Sequence, residues 1–203
     1  MKRFACSRLA MGATLSFAAV SAFAHPGHDA ATVGASLWAG LLHPFTGADH
    51  LLAMAAVGVW SALGARSAAD TLRLPLAFVA LMLVGAALGL SGLVLPAVEP
   101  MIAASLLVVG VLVAMRAKLP AWAGMAIVGG FAVFHGYAHG AELPATAAAL
   151  PAVLAYVGGF SVATMVLHLL GIVAGTILRH RAGWLARVAG AGVALYGAGL
   201  LVA

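Results

Sequence analysis

The chain has 203 residues, of which 65% are hydrophobic and only 7% charged, with a formal net charge of +5. A soluble domain of this length needs far more charge to cover its surface, so the apolar stretches must face lipid. The positive balance is no nucleic-acid footprint: Lys2, Arg3 and Arg8 belong to an amino-terminal leader, and the remaining basic residues sit at predicted helix ends.

The first 24 residues have a basic start, an apolar run from Leu9 to Val20 and the small-residue pattern Ala22-x-Ala24. That is the design of a cleavable export signal, and the run is short for a membrane span. An uncleaved signal anchor, adding one more helix, is the alternative. Cleavage after Ala24 makes His25 the new amino terminus, followed by Pro26-Gly27-His28-Asp29. The only cysteine, Cys6, lies in the leader, so the mature chain has neither a disulfide nor a thiolate ligand.

Six apolar runs follow, at 33–63, 74–95, 97–115, 120–142, 148–178 and 183–203. Most meet the requirement of roughly 20 residues for a membrane core. The expected fold is therefore all-α, a polytopic membrane bundle of about six transmembrane helices after a cleaved leader. In domain terms, 1–24 is the signal peptide, 25–32 a histidine-containing external segment and 33–203 the membrane domain. Arg66 and Arg73, Arg116 and Lys118, and Arg179 and Arg181 occupy alternate loops, while the loops around Glu99 and Glu142 contain no Lys or Arg. The positive-inside rule makes the basic loops cytoplasmic and the mature amino terminus periplasmic, in a bacterial inner membrane. Trp60, Trp122 and Trp184 fall near the cytoplasmic ends, where indoles favour the interface. Gly85-x-x-x-Gly89, Gly136-x-x-x-Gly140 and Gly171-x-x-x-Gly175 permit close helix contact.

Polar groups interrupt two of these runs. The first carries His43-Pro44-Phe45-Thr46-Gly47-Ala48-Asp49-His50, in which His43 and His50 would share a face of an intact helix. Pro44 and Gly47 argue for a kink that lets these groups converge. In the fourth run, His135, His139 and Glu142 follow i, i+4, i+7 spacing and line one stripe. Two imidazoles at i, i+4 can bind one metal ion. Unpaired Asp49 in hydrocarbon costs several kcal/mol, so such residues face a cavity, a partner or an ion path. A helix-to-helix hydrogen-bond network is the competing reading, but that glue is ordinarily Ser, Thr, Asn or Gln. Imidazole and carboxylate without thiol suit Ni(II), Co(II), Zn(II) or Cu(II), and affinity order does not choose among them. Met54 and Met165, one turn from His50 and His168, fit adaptable packing better than thioether ligation.

These two stretches resemble the HupE/UreJ family, the hydrogenase- and urease-associated nickel permeases. The family's His-x5-Asp-His matches His43, Asp49 and His50, and its Phe-His-Gly-x-Ala-His-Gly-x-Glu matches Phe134 through Glu142 at every fixed position. The mature start His-Pro-Gly-His matches His25 to His28, and His168 looks like a further histidine of the family's fifth span. The resemblance implies movement of nickel, or of cobalt, across the inner membrane without ATP, supplying hydrogenase- or urease-type enzymes. No phosphate-binding loop is present, which is consistent with it.

On this reading the chain is not an enzyme and holds no permanent cofactor; Ni2+ or Co2+ is cargo. Its partners are a divalent metal ion and the lipid bilayer, with a homo-oligomer left open and nucleic acid excluded. Capture by His25 and His28 is expected to precede transfer to His135, His139 and Glu142, then toward His43, Asp49 and His50, with His168 deeper. Ligation needs unprotonated imidazole, so uptake is expected to fall as pH drops. The first and fourth spans run in opposite directions and each opens a three-helix half, which permits a 3+3 inverted repeat. Its only sequence trace is Gly47-Ala48-Asp49 against Gly140-Ala141-Glu142. Two rivals remain: a membrane-embedded metal-dependent hydrolase, and an accessory protein that binds metal without transporting it.

Overall fold

A computed structural model describes residues 33–143 and 149–203. The leader, its cleavage site, His25 and His28 lie outside the described residues. Seven helices follow in order: α1 (Val33–Thr46), α2 (Ala48–Gly64), α3 (Ala68–Leu90), α4 (Val98–Met115), α5 (Ala121–Ala141), α6 (Leu150–Arg181) and α7 (Gly183–Val202), with no strand among the described residues. Helices α3 to α7 are each long and apolar enough to cross a membrane; α2 is apolar but shorter. The all-helical, multi-pass expectation holds.

The first span differs from its expected form. It is two helices, not one kinked helix. Gly47 sits between them in an extended conformation (φ −100°, ψ 121°). Pro44 has no N–H to give the last turn of α1, and the Thr46 hydroxyl donates to the His43 carbonyl at 2.7 Å to close that turn. A Cβ on residue 47 would lie 2.7 Å from Asp49 Oδ1, so a bare glycine suits the break. The two short helices follow one another along α6, which has 32 residues and is roughly 48 Å long at about 1.5 Å per residue. Gly40 of α1 abuts Tyr156 and Phe160; Gly58 of α2 abuts His168 and Gly171.

Close approach at glycine organises the bundle. Lipid removes most of the hydrophobic drive between helices, so backbone proximity and van der Waals contact must hold them. Two of the three expected glycine pairs meet each other on α3 and α5: Gly85 abuts Val133 and Tyr137, Gly89 abuts Tyr137 and Ala141, while Gly136 and Gly140 lie against the backbones of Met82 and Ala86. The third pair, Gly171 and Gly175, lies against Ala55 and Val59 of α2. A further pair was not anticipated: Gly110 of α4 and Gly190 of α7 face one another. Helix α3 thus runs parallel to α5, α2 parallel to α6, and α4 antiparallel to α7.

One tryptophan expectation needs correction. Trp122 and Trp184 are exposed, as interfacial indoles should be, but Trp60 is buried. Its Nε1–H donates to the Ala117 carbonyl at 2.9 Å, tying the end of α2 to the α4–α5 connection. Its position near a helix end suggested the lipid interface, and the tertiary bond places it inside. At the opposite end, Tyr137 holds the α3–α4 connection by donating to the Leu93 carbonyl (2.8 Å) and accepting from the Leu95 amide (3.2 Å).

Candidate metal centre

The break at Gly47 brings the polar residues of the first span inward. His43 occupies the last turn of α1, and Asp49 and His50 the first turn of α2. Helix α5 carries His135 and His139 and ends at Glu142. Four imidazoles form one cluster: the His43 ring lies 4.7 Å from His139 and 6.1 Å from His50, and His50 lies 4.8 Å from His139 and 5.0 Å from His135. His168 projects from α6, edge-on to Phe78 at 5.0 Å, and Phe78 lies 5.7 Å from His135. Six of the seven intramembrane candidates therefore converge, from three helices, while His168 stands behind Phe78.

Access is graded. The Glu142 side chain is 48% exposed and His43 30%, and their 3.3 Å contact stands at the mouth. Asp49 (26%) and His50 (13%) follow. His135, His139 and His168 are fully buried. The expected path ran from His135, His139 and Glu142 to His43, Asp49 and His50; in the structure Glu142 and His43 are the most exposed, and His135 and His139 lie inward. The cause is geometric: His43 ends α1 and Glu142 ends α5 at the same end of the bundle, whereas His135 and His139 lie inward along α5.

The hydrogen bonds assign ring tautomers. His168 Nδ1–H donates to the Met54 carbonyl at 2.8 Å, which leaves Nε2 with its lone pair. His50 Nδ1–H donates to Asp49 Oδ1 at 3.1 Å, again freeing Nε2. The Ser105 hydroxyl gives its proton to the Ile102 carbonyl at 2.6 Å, so the 2.9 Å contact with His135 has Nε2–H as donor and frees Nδ1. His139 is held instead by stacking on Phe160, ring centroids 4.6 Å apart and 20° from parallel.

Five buried side-chain nitrogen atoms lack a hydrogen-bond partner among the described residues: His50 Nε2, His135 Nδ1, both nitrogens of His139 and His168 Nε2. Buried polar atoms are nearly always satisfied, and each orphan costs about 1–3 kcal/mol. The orphans all belong to these histidines. A hydrogen-bond network would have joined the nitrogens to one another; the rings pack edge-on or tilted instead. Three of the histidines are anchored through one nitrogen with the other left free, as metal-binding histidines are. Among the described residues no three His, Cys, Asp or Glu side chains are placed to hold one metal ion together.

Reasoning from the sequence did not find Ser105, Phe78, Phe160 or Tyr156, whose ring lies 6.1 Å from His43. Ser105 had a faint signal, being the lone hydroxyl in α4. The aromatics had none. Met54 contributes its carbonyl to the site.

The fold and the cluster together define a class: a multi-pass helical membrane protein with a buried imidazole–carboxylate centre reached from one end. The family model described as HupE / UreJ protein matches residues 13–200, and the chain belongs to that family. It is 47% identical over 166 residues, covering 81% of this chain and 83% of the relative, to "Protein HupE" of Rhizobium leguminosarum bv. viciae. No solved structure matches the chain.

Proposed function

We propose that the protein is a permease for a divalent transition metal, nickel first and cobalt next, in the bacterial inner membrane. One observation carries this reading: the unpartnered buried nitrogens gathered on four histidines, reached from a mouth that holds Glu142, His43 and Asp49. Family membership supports the nickel assignment. Neutral imidazoles replace the ion's water while the carboxylates offset its charge, and weak, divided binding lets the ion leave. The histidine mouth lies opposite the end bearing Arg66, Arg116, Lys118 and Arg179, so the positive-inside rule makes it periplasmic. His25 and His28 would then begin the path from the same side.

At the basic end a cavity of about 710 Å³ reaches inward to Trp60 and Ser61. Between it and the histidines stand Met54, Val57, Phe78, Met82 and Val128, all buried. Those side chains separate the cavity from the histidines, and transport requires that barrier to part.

The glycine contacts support a 3+3 inverted repeat in which α1–α2, α3 and α4 correspond to α5, α6 and α7. Gly58 against His168, with Gly171 against Ala55 and Gly175 against Val59, has the same spacing as Gly136 against Met82, with Gly85 against Val133 and Gly89 against Tyr137. Gly110 against Ala194 mirrors Gly190 against Ala114. This register differs from the Gly47-Ala48-Asp49 likeness and replaces it. In this register His135 and His139 correspond to Val57 and Ser61, so the metal centre belongs to an asymmetric addition. Such halves exchange roles in alternating access.

The test is nickel flux into liposomes containing only the purified protein, with cobalt, zinc and copper as competitors. Wild type takes up nickel and His139→Ala falls to background. Absence of wild-type flux despite metal binding would favour the non-transporting accessory instead.

A further inference from the structure

The basic end holds a second cavity, of about 520 Å³, whose lining includes Arg66, Arg116, Lys118, Arg179 and Arg187. These cations arrive from four separate places: the α2–α3 connection, the end of α4 and the segment after it, the last turns of α6, and the second turn of α7. The positive-inside rule explains their number at this end but not their convergence on one concavity.

Nothing described in the chain neutralises them. Of the acidic residues, Asp49 begins α2, Glu99 begins α4 and Glu142 ends α5, all at the opposite end. Asp70 is the acid of the basic end, and it pairs with Arg73 at 3.0 Å. Arg179 spends part of its donor capacity on the Ala65 carbonyl, at 2.8 Å. Arg116 is placed by unusual local means. Its backbone is left-handed (φ 52°, ψ 43°) at the C-cap of α4, a position where glycine is preferred. Its guanidinium lies over the bare Gly183, where a Cβ would stand 2.6 Å from Nη1. Exposed Trp122, Trp184 and Met115 surround this end, which sets the cavity at headgroup depth.

We propose that this cavity binds the phosphate of an anionic lipid headgroup in the leaflet at the basic end. Clustered Lys and Arg at a helix-bundle boundary recognise such phosphates. The cavity shares Arg66 and Lys118 with the larger one leading toward Trp60. A bound phosphate therefore lowers the positive potential that a departing dication meets; this consequence, unlike the binding itself, rests on the permease reading.

The binding is tested without metal. Purified protein is offered an equimolar mixture of phosphatidylglycerol and phosphatidylcholine, and retained lipid is counted by native mass spectrometry. Wild type retains phosphatidylglycerol selectively. Each lost cation weakens retention about fivefold, so Arg116→Gln with Arg187→Gln weakens it roughly twenty-five-fold, while Arg73→Gln does not. Equal retention of both lipids, or undiminished retention in the folded double variant, overturns the proposal. Displacement by millimolar inorganic phosphate overturns the lipid assignment in favour of a soluble anion.

Discussion

Replacing Ser105 by alanine removes a single oxygen from α4, yet its effect should appear in the metal affinity of a histidine on another helix. Ser105 Oγ accepts from His135 Nε2–H at 2.9 Å and passes its own proton to the Ile102 carbonyl. In the alanine variant that N–H has no partner in a fully buried site, a loss of about 1–3 kcal/mol. The ring escapes by turning or by moving its proton to Nδ1. Either change removes the Nδ1 lone pair from the cluster. Loss of such an outer partner typically weakens metal binding 10–100-fold, or roughly 1.4–2.7 kcal/mol. Titration calorimetry with Ni2+ on purified Ser105→Ala measures this, and nitrogen-15 chemical shifts of the His135 ring report the tautomer independently of folding. Wild-type affinity together with an unchanged tautomer would refute the assignment of Nδ1 as the donor.

Gly136→Ala places a Cβ against the Met82 carbonyl in the α3–α5 contact. We expect a loss of about 1–3 kcal/mol, read as a lowered unfolding temperature in detergent. Glu142→Gln removes a charge at the mouth and leaves the buried rings alone, so the half-saturating nickel concentration should rise several-fold with little change in maximal rate. Protons compete with metal for imidazole nitrogen. Initial uptake should therefore fall as external pH is lowered and recover when the pH is restored; uptake that stays undiminished down to the lowest pH at which the protein remains folded would count against imidazole ligation.

The membrane runs could be recognised because lipid demands long uninterrupted apolarity, and α4, α5 and α7 begin and end within a few residues of expectation. Helix α3 begins earlier than its apolar run. The Ser67 hydroxyl accepts from the Asp70 amide at 3.2 Å, and the two polar turns that follow this cap carry Asp70 and Arg73 outside the hydropathic stretch. The centre was visible for the complementary reason: His43, Asp49, His50, His135 and His139 stand out where apolar residues belong. Ser105 did not stand out, because a helical hydroxyl can bond a preceding carbonyl and pass unnoticed in an apolar run. The inward turn of Trp60 depends on the Ala117 carbonyl, which is distant in sequence. Which glycine stripe meets which is likewise a tertiary fact, since spacing marks a smooth face but not its mate.

The separation of α1 from α2 by the single extended residue Gly47 has a mechanical meaning. The imidazole of His43 rides on one rigid rod and those of Asp49's neighbour His50 and the carboxylate itself on another. Their spacing is governed by the two dihedral angles of a residue with no side chain to resist rotation. A swing of a few degrees there changes the distance between the His43 and His50 rings without melting a turn of either rod.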